Sequence, residues 1–233
     1  VSEAFVPHFL DCGVSSNKIT TITNGVDLAR FSPGADATQF RETHGLGDKF
    51  VAAYVGTHGM AHQLETVLEA ADRLRQRNDI AFVLVGDGAE REKLLAMRDS
   101  MKLDNVVMLP LVPRDQIPAI WPATDAAIVT LRPTPLFELV IPSKIFEAMA
   151  AQRPIILGVR GEAARIVANA ECGLTFTPGD AAGLAESVLA LADDPARRKR
   201  LGENGYQLAA SKYDRQKLAT EYVDLLAKTT NGH

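Results

Sequence analysis

The sequence predicts an α/β domain built on a parallel sheet with helices on both faces, and two observations carry that prediction. From Phe50 onward, short apolar runs closed by glycine or proline alternate with longer segments whose apolar residues recur at helical spacing. The short runs are apolar at nearly every position, as strands buried on both faces must be, whereas a half-solvated strand alternates. Right-handed crossovers between such strands give a doubly wound, Rossmann-like sheet, which holds ligands beyond the carboxyl ends of its strands.

In chain order, Phe50–Gly56 is the first strand and Gln63–Gln76 the helix after it. Ile80–Gly86 is the next strand, followed by a helix near Ala89–Met101. Val106–Leu109 and Ala126–Leu131 continue the sheet, with a helix around Asp115–Ala123 between them. Ser143–Ala151 is helical, Ile155–Gly158 a strand, Glu162–Ala170 helical, and Leu174–Phe176 a last short strand. Asp180 is a good N-cap for a helix to Ala192, and Pro195 opens another reaching about Tyr213. Asp214 starts the final helix, Arg215–Lys228, before a frayed Asn231-Gly232-His233 end. Residues 1–24 fit the scheme poorly: Ser2–Leu10 reads as one helix and Ile19–Ile22 as one short strand. Function is sought in the loops after Gly56, Gly86, Leu109, Leu131 and Gly158.

At 233 residues, about 70–75% of the unfolded chain's surface can be buried, so stability needs neither disulfide nor metal. The net charge of −4 argues against nucleic acid as a partner, which calls for a dense basic surface. Cys12 and Cys172 form no C-x-x-C or zinc-ligand spacing, and lone thiols suit a reducing cytoplasm. No apolar run approaches the roughly 18 residues of a membrane span, and no basic segment with an apolar run marks a signal peptide. The chain starts on Val1 rather than Met, so it is expected to be an excised piece of a longer protein.

Three clusters could carry chemistry. Asn24-Gly25-Val26-Asp27, followed by Phe31 and Pro33, reads first as an ordinary turn, since Asn and Gly both tolerate positive φ. Gly86-Asp87-Gly88 follows a strand and precedes a helix; it is either a tight turn or a close approach of backbone to a ligand. Asp87 would repel phosphate, so this turn is expected to line a pocket rather than grip an anion. The third cluster is Pro142-Ser143-Lys144-Ile145-Phe146-Glu147-Ala148-Met149-Ala150, with Ser143 a good N-cap. A lysine in a first helical turn opposes the helix dipole. Either Lys144 pairs with Glu147 in solvent, or an anion docks there and removes the conflict.

In this order and spacing the motifs resemble the retaining group-1 family of glycosyltransferases, whose GT-B fold sets two Rossmann-like domains across a cleft. The resemblance covers about residues 20–225 and corresponds to the C-terminal, donor-binding domain. It implies a remnant of the acceptor domain and crossover over 1–23, a nucleotide-sugar domain over 24–213, and a C-terminal helix and tail over 214–233. It further implies that Glu147 holds the ribose hydroxyls, that Gly56, Thr57, His58 and Gly59 form the glycine loop beside the diphosphate, and that Gly86 lines the pocket. Leu111 lies in the segment whose backbone reads the base, and Ser143 and Lys144 sit at the phosphates. The donor implied is a UDP-linked sugar. The acceptor, a glycan or lipid-linked sugar, would be bound by the missing half, so the chain alone should bind nucleotide and transfer nothing. The P-S-K-x-F-E form resembles a subgroup acting in bacterial surface-polysaccharide and O-antigen assembly, at the inner face of the cell membrane or in the cytoplasm.

Two departures stand out. The family's first glutamate, separated by seven residues from the second, falls on Leu139, so neighbouring Glu138 is the candidate catalytic carboxylate. The family's arginine and lysine after the glycine loop are replaced by His58 and His62-Gln63. Losing a cation 4 Å from a phosphate forfeits about 4 kcal/mol of attraction at an effective dielectric near 20, and Lys144 is the candidate to restore it. His58, His62 and Glu65 offer no clear third ligand, so no metal or other cofactor is expected. Glu162 either caps its helix or touches the sugar, and Trp121 is expected to pack on the sheet. A UDP-sugar 2-epimerase of the same architecture, or a noncatalytic nucleotide-binding module, are the alternatives.

Overall fold

The computed structural model of the chain describes residues 2–31 and 36–230; Pro33 and the expected frayed end at Asn231-Gly232-His233 lie outside them. A short 3-10 turn over Glu3–Phe5 leads into α1 (Val6–Asp11), and α2 (Thr38–Thr43) precedes the sheet. Six strands follow: β1 (Phe50–Val55), β2 (Ile80–Val85), β3 (Val106–Leu109), β4 (Ala126–Thr130), β5 (Ile155–Gly158) and β6 (Gly173–Thr175). Between and after them come α3 (Glu65–Arg73), α4 (Arg91–Met101), α5 (Pro135–Glu138), α6 (Lys144–Ala150), α7 (Glu162–Asn169), α8 (Ala181–Ala192), α9 (Pro195–Lys212) and α10 (Arg215–Thr230).

All pairings are parallel and the strand order is β3-β2-β1-β4-β5-β6. The order reverses between β1 and β4, and a doubly wound sheet opens its ligand crevice at such a switch point. The two-residue period of a strand explains why the runs are apolar throughout. Ala53, Val55, Val83, Val129 and Leu157 face a core shared with Ile145, Phe146 and Trp121. Their neighbours Ala52, Tyr54, Phe82, Leu84, Ile128 and Ile156 face a second core, closed by Leu68, Leu94 and Leu184. Neither face meets solvent, so a polar residue at any of these positions would be buried.

Local sequence explains the starts of α5, α8 and α9, which Thr134, Asp180 and Asp194 cap. The Asp180 carboxylate accepts from the Ala182 and Gly183 amides, as an N-cap should. Two expectations need correction. The segment Asp115–Ala123 is not one helix but two 3-10 turns, Ile117–Ala119 and Trp121–Ala123, because Pro118 and Pro122 remove the amides a continuous helix needs. Ile19–Ile22 forms no strand. The pairing occurs further on, where Val26 bridges Asp214. The Val26 amide donates to the Tyr213 carbonyl (2.8 Å) and the Arg215 amide to the Val26 carbonyl (2.9 Å). Gly25 is required there, since a Cβ would meet the Tyr213 carbonyl oxygen at 2.3 Å.

Candidate functional site

The loops after β1 and β2 lie against one another with no room for side chains. A Cβ on Gly86 would stand 1.9 Å from the Gly56 carbonyl oxygen, and Gly86 has φ +149°. A Cβ on Gly88 would stand 2.6 Å from the His58 carbonyl oxygen. The glycines therefore serve close backbone approach, and the Asp87 carbonyl accepts from the His58 amide (2.8 Å) to close the pair. Thr57 is exposed at the mouth, and Gly59 half-buried beside it.

His58 departs from its expected place in that mouth. Its side chain is fully buried behind the loop, and neither ring nitrogen has a hydrogen-bond partner. Burial first, then the Arg91 charge, pushes its pKa down to about 4, and burial with the Lys144 charge does the same for His62. Both imidazoles are neutral near pH 7 and cannot replace the missing cations. The described residues contain no group of three or more His, Cys, Asp or Glu able to hold a metal ion.

Lys144 comes to the carboxyl end of β1. Its stem fills the space that a Cβ on Gly56 would occupy, 2.2 Å from Cε. Its Nζ donates to the Tyr54 hydroxyl (2.8 Å) and lies 4.5 Å from that ring's centroid. No carboxylate forms an ion pair with it among the described residues, so the solvated Lys144–Glu147 pair does not form. Burial lowers its pKa to about 8. Ser143, expected as an N-cap, makes no side-chain cap bond: its φ −59° and ψ −25° are already helical, whereas caps sit in the extended region.

Glu147 lines a cavity of about 70 Å³ with Gly25, Asp27, Arg30, Arg114 and Ser143. Burial raises its pKa, opposed by the charges of Lys144, Arg114, Arg30 and Arg215. The Arg30 guanidinium is tied to the Arg114 carbonyl (3.0 Å), so two cationic side chains flank the carboxylate. Neither arginine stands in a pattern that sequence reading would single out; only the fold brings them to residue 147. Leu111 projects from the segment after β3, 66% exposed.

Glu138 lies elsewhere. It ends α5, a helix the apolar pattern misses but which Thr134 and Pro135 mark: the Thr134 hydroxyl accepts from the Phe137 amide. With Arg160, Gly161 and Arg165 it lines an open groove of about 1140 Å³ beside β6, separate from the cavity at Glu147. Gly161, at φ +75°, fits against it, since a Cβ would meet the Glu138 carbonyl oxygen at 2.0 Å. Glu162 neither caps α7 nor lines this groove. It accepts from the Ser2 hydroxyl and the Ala4 amide (2.9 Å), tying the first turn of the chain to α7. Arg132, at the end of β4, holds the opposite loop through the Met60 carbonyl.

At the switch point of the sheet, two glycine turns, a half-buried lysine and a half-buried carboxylate thus come together. The family model for glycosyl transferases group 1 matches residues 36–208, and the chain belongs to that family. Alpha-D-kanosaminyltransferase of Streptomyces kanamyceticus is 30% identical over 183 residues, which are 77% of this chain and 46% of that protein. Glycogen synthase of Mycobacterium tuberculosis is 28% identical over 226 residues, 92% of this chain and 50% of that one. The chain thus spans about half the length of the curated relatives it matches. Among solved structures, Anabaena HepE in complex with UDP and glucose superposes with a TM-score of 0.84 at 21% identity, over 97% of this chain and 61% of that one. The C-terminal domain of LpcC from Francisella tularensis is matched over its whole length and 82% of this chain, with a TM-score of 0.69 at 23% identity. These likenesses give the fold of half a GT-B enzyme.

Proposed function

We propose that this chain is the donor-binding part of a glycosyltransferase that takes a nucleoside-diphosphate sugar, UDP-linked, and passes the sugar with retained configuration to a glycan or lipid-linked acceptor. The observation that carries the reading is the pairing of Lys144 and Glu147 one helical turn apart at the switch point. Lys144 lies at the glycine loop, and Glu147 faces a small cavity flanked by Arg30 and Arg114.

The chemistry follows from these positions. A carboxylate accepts from both hydroxyls of a ribose, and such charge-assisted bonds are worth more than neutral ones. The Leu109–Val112 backbone, at the end of β3, is left to read the base. An ammonium that no carboxylate neutralises stabilises the departing diphosphate, where negative charge grows in the transition state. Glu138, in its separate groove, is assigned to the sugar. Acceptor binding belongs to the other half of the enzyme.

Calorimetric titration of the chain with UDP tests the reading. Micromolar to millimolar binding is expected, and Glu147→Gln should weaken UDP and uridine alike by about tenfold, as the loss of a charge-assisted pair costs about 1.4 kcal/mol or more. Absence of binding at millimolar UDP would overturn the assignment. A 2-epimerase would instead convert the donor sugar without any acceptor once the full-length enzyme is supplied.

A further inference from the structure

Tyr54 sits at the centre of the loop, the lysine and the histidines, yet nothing in the sequence distinguishes it from strand packing. We propose that Tyr54 is a positioning residue for the diphosphate subsite: one hydroxyl fixes both the glycine loop and the Lys144 ammonium. This rests on the donor-site reading above.

The residue is fully buried near the carboxyl end of β1. A phenylalanine would fill the same volume, but a buried phenol must find partners for its hydroxyl. It finds two. The hydroxyl donates to the Thr57 carbonyl at 2.7 Å and accepts from Lys144 Nζ at 2.8 Å. A phenol has one proton, and here it is committed to the loop, which turns the oxygen lone pairs towards the lysine. Burial pushes the phenol's pKa far above its ordinary value, so the partner offered to Lys144 is always neutral.

That neutrality is the point of the arrangement. Lys93, by contrast, bridges Glu65 and Glu90 at 2.8 Å each, and its charge is spent on them. Lys144 is held by a hydroxyl and a ring face, which fix its place and leave its charge for a ligand. The same hydroxyl sets the loop through Thr57, so loop and ammonium keep one spacing. The absence of a side chain on Gly56 leaves room for the lysine stem between them.

The test compares wild type, Tyr54→Phe, Lys144→Met and the double variant by calorimetry with uridine and with UDP. Tyr54→Phe is expected to bind UDP about 5–20-fold more weakly, at the border between the loss of a neutral hydrogen bond and the loss of one to a charged group. Uridine, which has no phosphate, should bind within about twofold of wild type. In the Lys144→Met background the loss caused by Tyr54→Phe should shrink without vanishing, since the lysine half of its role is gone while its hold on the Thr57 carbonyl remains. Equal losses for uridine and UDP, unchanged UDP affinity, or an undiminished loss in the Lys144→Met background would each overturn the proposal. Wild type that binds neither ligand would instead remove the donor site itself. Should Tyr54→Phe not fold, the wild type carries the test. With the chain's 4 tyrosines labelled at Cζ, and Tyr206, Tyr213 and Tyr222 assigned by substitution, the Tyr54 resonance should move on adding UDP and stay put with uridine. No movement with UDP overturns the assignment.

Discussion

The two sides of the crevice are built on different principles. On the β1–β2 side, backbone meets backbone: Gly86 against the Gly56 carbonyl, Gly88 against His58, and a buried imidazole filling the space behind. On the β4–β5 side, Glu138 is carried by a four-residue helix held by Phe137 against the core, a close contact with Gly161 and the Thr134 cap. In the proposed donor site the first side, which has no slack, takes the diphosphate, and the second, which lines a wide groove, takes the sugar.

Breaking the tight side should have the largest effect. Gly86→Ala forces a Cβ onto a carbonyl at a φ that side chains avoid, and about 3–5 kcal/mol of stability should be lost with all UDP binding, read by denaturant unfolding and calorimetry. Next comes the imidazole behind the loop. His58 binds its proton in the unfolded chain near pH 6.5 but in the folded chain only near 4. Its neutral burial therefore holds fully above pH 6.5 and is lost as pH falls through that window, at about 3 kcal/mol in all. His58→Phe should flatten the acid limb of a stability–pH curve by about that amount; an unchanged limb would mean the ring is solvated.

Smaller effects sharpen the contrast at the ligand. Lys144, with its pKa lowered to about 8, carries its charge below that pH, so UDP affinity should hold to pH 7.5 and decline as pH rises through 8 to 9. Lys144→Met should bind UDP about 10–100-fold more weakly and remove the decline. Gly161→Ala, on the loose side, should leave UDP affinity within about threefold. It should change the ratio of UDP-glucose to UDP affinity, because the Glu138 segment must shift. A loss of UDP affinity equal to that of Gly86→Ala would erase the distinction between the two sides.

The fold was legible because strands buried on both faces leave an unmistakable apolar signature, and because Asp180 and Pro195 announce their helices. Pro118 and Pro122 were equally visible, and weighing their missing amides would have broken the false helix over Asp115–Ala123. The site was legible only in part. Lys144 and Glu147 share one helix, so local spacing brings them together. His58 reads as a ligand-facing residue because glycine surrounds it, and nothing local reveals that the Gly86–Gly88 turn packs over it. Arg30 and Arg114 reach Glu147 from segments far apart in the chain, and Tyr54 hides in a strand where any large apolar residue would look the same.

The short stitch between Val26 and Asp214 has a mechanical consequence. Residue 25 enters it and α10 departs from it, with the Arg215 side chain adding a bond to the Gly25 carbonyl at 3.0 Å, while the Ser2 and Ala4 bonds to Glu162 hold the other end of residues 2–25 on α7. The leading segment is thus held at both of its ends, and α10 is anchored beside the second of them, so cutting the stitch should release α10 while the Glu162 bonds still hold the first turn.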